Sequence, residues 1–107
     1  MNVTSAIIVQ TTTASETEAD AIADALLAEG LAACVQIMPI RSRYLWQGEV
    51  RRDVEELLLV KTRADLWDRV SARIRELHSY DTPEIMAVPL SDADPAYLAW
   101  MGEVTRP

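Results

Sequence analysis

Few side chains in this sequence have coordination or proton chemistry to offer. His78 is the single histidine and Cys34 the single cysteine. A neutral imidazole is a good ligand for copper, zinc or nickel. Glu84 follows His78 across the short segment Tyr80-Asp81-Thr82-Pro83 and can add a carboxylate oxygen, with Asp81 a weaker donor. His78 and Glu84 are therefore the candidate metal ligands. One imidazole and one carboxylate fall short of the four ligands of a structural zinc site. The remainder would have to come from another chain or from water. His78 also has an ordinary reading, in which it caps the last carbonyls of a helix and meets its negative dipole end. Cys34 reads either as a thiolate ligand or as a small buried apolar side chain. Lys61 reads as a partner for a carboxylate, or as a cation lining a cleft for an anionic ligand.

Other chemistries are excluded by residues. Ser-His-Asp or Cys-His catalysis would have to use the single histidine, and nothing beside it suggests an activated nucleophile. The sequence predicts a binding protein, not an enzyme. The formal net charge of −7 repels phosphate backbones, so nucleic acid is not an expected partner. Arg41, Arg43, Arg51 and Arg52 cluster locally, as do Arg63, Arg69, Arg73 and Arg75; each group reads as a solvated, ion-paired face. No stretch is long enough for a membrane span. The start, Met1 to Val9, lacks the basic and long apolar regions of a secretory signal. A lone cysteine allows no internal disulfide, which fits a reducing compartment, and a cytoplasmic location is expected.

With 107 residues the chain is expected to form one domain, residues 1–107. Ala6 to Thr12 is rich in Ile, Val and Thr and reads as a buried strand. Ser15 followed by Glu18 is a capping box, in which hydroxyl and carboxylate each take an orphan N–H. The helix behind it has its apolar stripe at Ala19, Ile22, Ala23, Leu26 and Leu27, and Gly30 ends it. Ala33 to Trp46 is a long strand, in which Pro39 demands a bulge, a bend or an edge position. Gln47-Gly48 is a turn, and Glu49 to Thr62 returns as a second long strand. Thr62 and Asp65 give another cap signal before a helix carrying Leu66, Val70, Ile74 and Leu77. His78 to Pro83 is a loop. Glu84 to Leu90 is a last strand, with Ile85 to Val88 expected to be buried. Asp94-Pro95 opens a terminal helix.

The order is β-α-β-β-α-β with a helical tail. Right-handed crossovers turn that order into an α+β, ferredoxin-like βαββαβ sandwich with a long central hairpin and a C-terminal helix. Each hairpin arm, at roughly 13 residues, spans about 40 Å, whereas a compact chain of this size is only about 30 Å across. The tip must protrude, with Tyr44, Leu45, Trp46, Val50 and Val54 on a bare ribbon. Such a ribbon calls for symmetric pairing with sister chains. Tyr44 and Trp46 are the expected interface anchors, since aromatics most often fill that role.

A series of separated motifs then points to one family. Gly30-Leu31-Ala32-Ala33-Cys34-Val35, Tyr44-Leu45-Trp46-Gln47-Gly48, Glu55, Lys61-Thr62, Leu77 through Ile85 and Tyr97-Leu98-Ala99-Trp100 follow one another in an order that resembles the CutA family of divalent-cation-tolerance proteins. The resemblance covers nearly the whole chain. It implies a ferredoxin-like fold, a tight homotrimer joined through long hairpins, and binding of copper or another divalent transition metal, with no organic cofactor. The family also resembles the PII signalling trimers in architecture. The alternative function is therefore a ligand-sensing trimer that binds a small molecule between its chains. The tight turn at Gln47-Gly48 leaves no room for the long nucleotide-sensing loop of those proteins. This sequence departs from the family at Ser79, where many members have proline, and at Gln10, where some have cysteine. The lost thiolate weakens a soft-metal site.

Overall fold

The computed structural model describes residues 5–107, so the reading of residues 1–4 lies outside the described residues. Strands β1 (Ala6–Thr13), β2 (Cys34–Trp46), β3 (Glu49–Arg63) and β4 (Ile85–Pro89) alternate with helices α1 (Glu16–Ala28), α2 (Trp67–Leu77) and α3 (Pro95–Val104) in the expected order. The strands form one antiparallel sheet in the order β2-β3-β1-β4. This is the split βαβ arrangement expected from the sequence.

Alternation along the strands sorts the side chains into two sets. Ile7, Val9, Leu58 and Val60 face α1 and α2 and join Ile22, Leu26, Val70 and Ile74 in the main core. A smaller cluster sets Met101 of α3 against Ala6 and Ala33. Apart from its Ala6 end, where α3 packs, the opposite face has no helix over it, and its register rows run Cys34–Lys61–Ile8–Val88, Gln36–Leu59–Gln10–Met86 and Met38–Leu57–Thr12. A sheet with one open face normally alternates apolar inside and polar outside. Here the open face is largely apolar too, and Met38, Met86 and Val88 are 43, 45 and 48% exposed. β4 was expected to be buried. It is instead the short outer strand, and of its apolar run only Ile85 is half-buried.

The caps follow the sequence in part. Ser15 accepts the Glu18 N–H at 3.2 Å. The Glu18 carboxylate does not complete the box, because it turns inward toward His78. Thr62 does not cap a helix either: β3 continues to Arg63, and the Thr62 hydroxyl donates to the Leu31 carbonyl at 2.6 Å. A single 3-10 turn, Ala64–Leu66, leads into α2, and Asp65 pairs with Arg63 at 2.8 Å. Asp94 caps α3 as expected, accepting from Ala96 and Tyr97 N–H groups, with Pro95 at the first helical position. Leu27 lies off the buried stripe of α1, at 44% exposure. Pro39 sits in β2 with its pairing to β3 unbroken. β2 is an edge strand, so the missing N–H faces outward and needs no partner.

The hairpin protrudes as its length requires. The molecule measures 47 × 26 × 22 Å with a radius of gyration of 14.4 Å, above the value of about 13 Å for a compact chain of 100 residues. Leu45 and Val54 are 77 and 71% exposed. Gln47 and Gly48 both have positive φ, at 51° and 79°. That pair is the signature of a type I′ turn, whose twist matches the strands it joins.

Gly30 fixes the other tight place. Its φ is 69°, and the Gly30 and Leu31 N–H groups return to Leu27 and Leu26 in a Schellman closure. The Gly30 carbonyl then accepts the Arg106 N–H at 2.8 Å, which ties the C-terminal segment to the end of α1. A Cβ here would meet Arg106 Cγ at 2.9 Å. Gly30→Ala is expected to destabilise the chain by about 1–2 kcal/mol, from the left-handed backbone alone. Urea unfolding of the two proteins checks this, and an unchanged midpoint would refute it.

Candidate ligand cleft

The open face of the sheet continues past the end of β1 onto the lower half of the hairpin. There the loop from α2 to β4, residues 78–84, folds against it. Between loop and hairpin lies an open cleft of about 690 Å³. The hairpin lines it with Ser42, Tyr44 and Trp46 from β2 and Arg51, Asp53 and Glu55 from β3, with Arg41 and Arg43 of β2 also on its wall. The loop adds Tyr80, Asp81, Thr82 and Glu84.

Phenols hold the carboxylates of the hairpin. Tyr80 donates its hydroxyl to Glu55 Oε2 at 2.8 Å, and Tyr44 donates to Asp53. Glu55 is a buried residue and would be costly to leave without a donor. Burial pushes the Tyr80 phenol well above its usual range, and the bond to Glu55 adds to this, since ionisation would set two anions together. The Tyr44 phenol is raised chiefly by its bond to Asp53.

The two candidate metal ligands do not meet as a pair of open donors. The His78 side chain is fully buried. Its Nε2 is 2.7 Å from the Thr12 carbonyl oxygen, and its Nδ1 accepts the Tyr80 N–H at 3.1 Å. Each ring nitrogen therefore already has a partner. Glu84 is exposed and accepts from the Gln10 amide at 3.1 Å. Among the described residues, no group of three or more His, Cys, Asp and Glu side chains is arranged to hold a metal ion. The donors around the cleft are oxygens, which suit hard cations better than copper. One chain alone does not fit a copper centre.

Cys34 is half-buried, a free thiol opposite Lys61 on the open face. It is neither an interior filler nor close to the cleft residues in sequence register. Tyr44 and Trp46 are 42 and 45% exposed in the isolated chain. From the sequence, Glu18 carries only a capping role, and Tyr80 and Asp53 carry no role at the site. A signal for Asp53 existed: in a hairpin closed by a two-residue turn, Asp53 and Glu55 must share the face of Tyr44. Glu18 carried none, because a carboxylate at that place in a capping box is expected to turn back to the backbone.

The CutA1 divalent ion tolerance protein family matches residues 7–104. A divalent-cation tolerance protein CutA from Thermus thermophilus is 46% identical over 99 residues, which are 92% of this chain and 96% of that protein. A chloroplastic CutA 1 protein from Oryza sativa is 40% identical over 101 residues; the match takes in 94% of this chain but only 57% of that longer protein. The crystal structure of CutA1 from Oryza sativa superposes with a TM-score of 0.94 at 39% identity, covering 98% of this chain and 96% of that one. With these motifs, this sheet and these relatives together, the chain belongs to the CutA1 divalent ion tolerance family.

Proposed function

We propose that this protein acts as a homotrimer in the tolerance of divalent cations, and that its cation site is completed between chains. The observation that supports this most is the uncovered sheet face. An apolar face on an antiparallel sheet, continuous with a protruding hairpin, is a large surface that needs cover. Copies of the same chain meet that need with closed symmetry and no loose edge. Tyr44 and Trp46 stand where such a partner would seat.

The cation reading follows from the family and from the cleft. Glu84 and Asp81 offer carboxylates at its loop side. A second chain and water would supply the other ligands, so binding is weak and depends on assembly. The physiological species is copper(II) or a harder divalent ion; the carboxylate and hydroxyl oxygens favour the harder one, on the loop side of the cleft away from Arg41, Arg43 and Arg51. The role is one of binding, without catalysis or an organic cofactor, and we place it in the cytoplasm. No helix among the described residues is long and apolar enough to cross a membrane.

One observation favours a second reading. The cleft falls within the roughly 300–1,000 Å³ typical of small-molecule sites, and it brings Trp46 and Arg51 beside the carboxylates. A sensing trimer with a small organic ligand would use those residues.

Sedimentation equilibrium at micromolar concentration is expected to return three times the chain mass, and a monomer mass would sink the trimer. Trp46→Ala is expected to weaken association by about 2 kcal/mol or more; an unchanged assembly would remove Trp46 from the interface. Calorimetric titration of the assembled protein with Mn(II) and with Cu(II) separates the two functional readings. Glu84→Gln should lower the affinity, by roughly 2–5-fold for the loss of a single exposed carboxylate worth at most about 1 kcal/mol. No heat with either ion would move the small-molecule reading ahead.

A further inference from the structure

His78 has both ring nitrogens engaged and its side chain fully buried, and the cation reading makes no use of it. Its ring lies at a junction of three elements. Below it is the Thr12 carbonyl near the end of β1, at 2.7 Å from Nε2. Beside it is the Tyr80 N–H of the cleft loop, at 3.1 Å from Nδ1. On the third side is Glu18 of α1, whose Oε1 stands 3.5 Å from Nδ1 and is itself buried without a hydrogen-bond partner. The Tyr80 ring leans on the imidazole, with centroids 4.8 Å apart.

These contacts decide where the proton sits. A carbonyl oxygen only accepts, so a ring nitrogen 2.7 Å from one must carry hydrogen. A backbone N–H only donates, so Nδ1 must present its lone pair to Tyr80. The opposite tautomer would give Glu18 Oε1 a donor. It would also set the Nε2 lone pair against the Thr12 carbonyl, and one N–H against another at Tyr80. Two conflicts outweigh one gain. The orphaned Glu18 oxygen is the cost of that choice.

We propose that His78 is a positioning residue, held as the neutral Nε2–H tautomer, that tethers the α2–β4 loop to β1 and so seats the Tyr80 phenol on Glu55. A metal ligand would need a free lone pair, and His78 has none to give: Nε2 holds its proton and Nδ1 is occupied. Because Tyr80 follows His78 by two residues, fixing its N–H fixes the side of the loop that faces the cleft. The buried Glu55 carboxylate then has its donor, and Asp81, Thr82 and Glu84 line the wall beyond it. The tether is independent of which ligand the cleft takes.

Nitrogen NMR of the intact ¹⁵N-labelled protein tests this directly, since there is a single imidazole to observe. At neutral pH, Nε2 should resonate as a protonated nitrogen and Nδ1 as an unprotonated one. The other tautomer, a mixture or an imidazolium would overturn the proposal. Added Zn(II) should leave both resonances in place; a shift at either nitrogen would return His78 to the ligand role, whatever the calorimetry of the cleft shows. Phenol absorbance gives the second arm. In the parent, Tyr80 should not ionise near pH 10, where a free phenol does, and Tyr80→Phe identifies its share of the signal. His78→Leu should move one phenol, the one that Tyr80→Phe removes, down towards that range. An unchanged titration in a folded His78→Leu protein would refute the positioning role, and if that variant fails to fold, the tautomer measurement on the parent decides. His78→Asn, whose Oδ1 can take the Tyr80 N–H, should restore the suppressed phenol; behaviour identical to His78→Leu would overturn the assignment of that bond to Nδ1.

Discussion

Most of this structure depends on a single sheet that is apolar on both faces, while its helices cover one face and only the Ala6 end of the other. Alternation along β1 and β3 sends Ile7, Val9, Leu58 and Val60 into the helical layer. The same alternation sends Ile8, Leu57 and Leu59 the other way, beside Met38, Met86 and Val88 on the flanking strands. Burial of apolar area is worth roughly 25 cal/mol per Å², so several such side chains left in water forgo a large stabilisation. The fold is complete as a chain and incomplete as a surface. The hairpin extends the same open face by projecting Tyr44 and Trp46 beyond the body of the domain.

The cleft sits where these two features join. It needs the hairpin for one wall and the short loop after α2 for the other. The hairpin wall is regular, because an unbroken register and a type I′ turn fix which residues face inward. The loop wall has no ladder to define it. It is held by side chains instead: His78 to the Thr12 carbonyl, Tyr80 to Glu55 and Glu84 to Gln10. That division gives both nitrogens of the His78 ring a backbone partner. The ring's hydrogen bonds are already committed to shape.

The architecture was legible in the sequence because each element carried its own signal. The Ser15 cap, Gly30, the Gln47-Gly48 turn and Asp94-Pro95 all mark boundaries by local chemistry, and local chemistry survives folding. Thr62 misled because a hydroxyl near a helix start has another use when a buried carbonyl, that of Leu31, lies within reach. β4 misled because an apolar run does not say whether it lies at the centre of a sheet or at its edge. The site was harder to see for a related reason. Spacing across a loop suggested that His78 and Glu84 could share a ligand, but spacing cannot tell which way a ring turns. The Thr12 carbonyl that fixes the ring is backbone, and any residue could have supplied it.

The central claim is that copies of this chain cover the open sheet face, and methionine oxidation footprinting tests it most directly. Met38 and Met86 lie on that face, nearly half exposed in one chain, while Met101 is fully buried in the smaller core cluster and serves as an internal reference. At concentrations where the protein assembles, Met38 and Met86 should oxidise as slowly as Met101, and they should become reactive on dilution below the association threshold. Rapid oxidation of Met38 and Met86 at every concentration, with Met101 protected throughout, would show the face open to water and contradict the account.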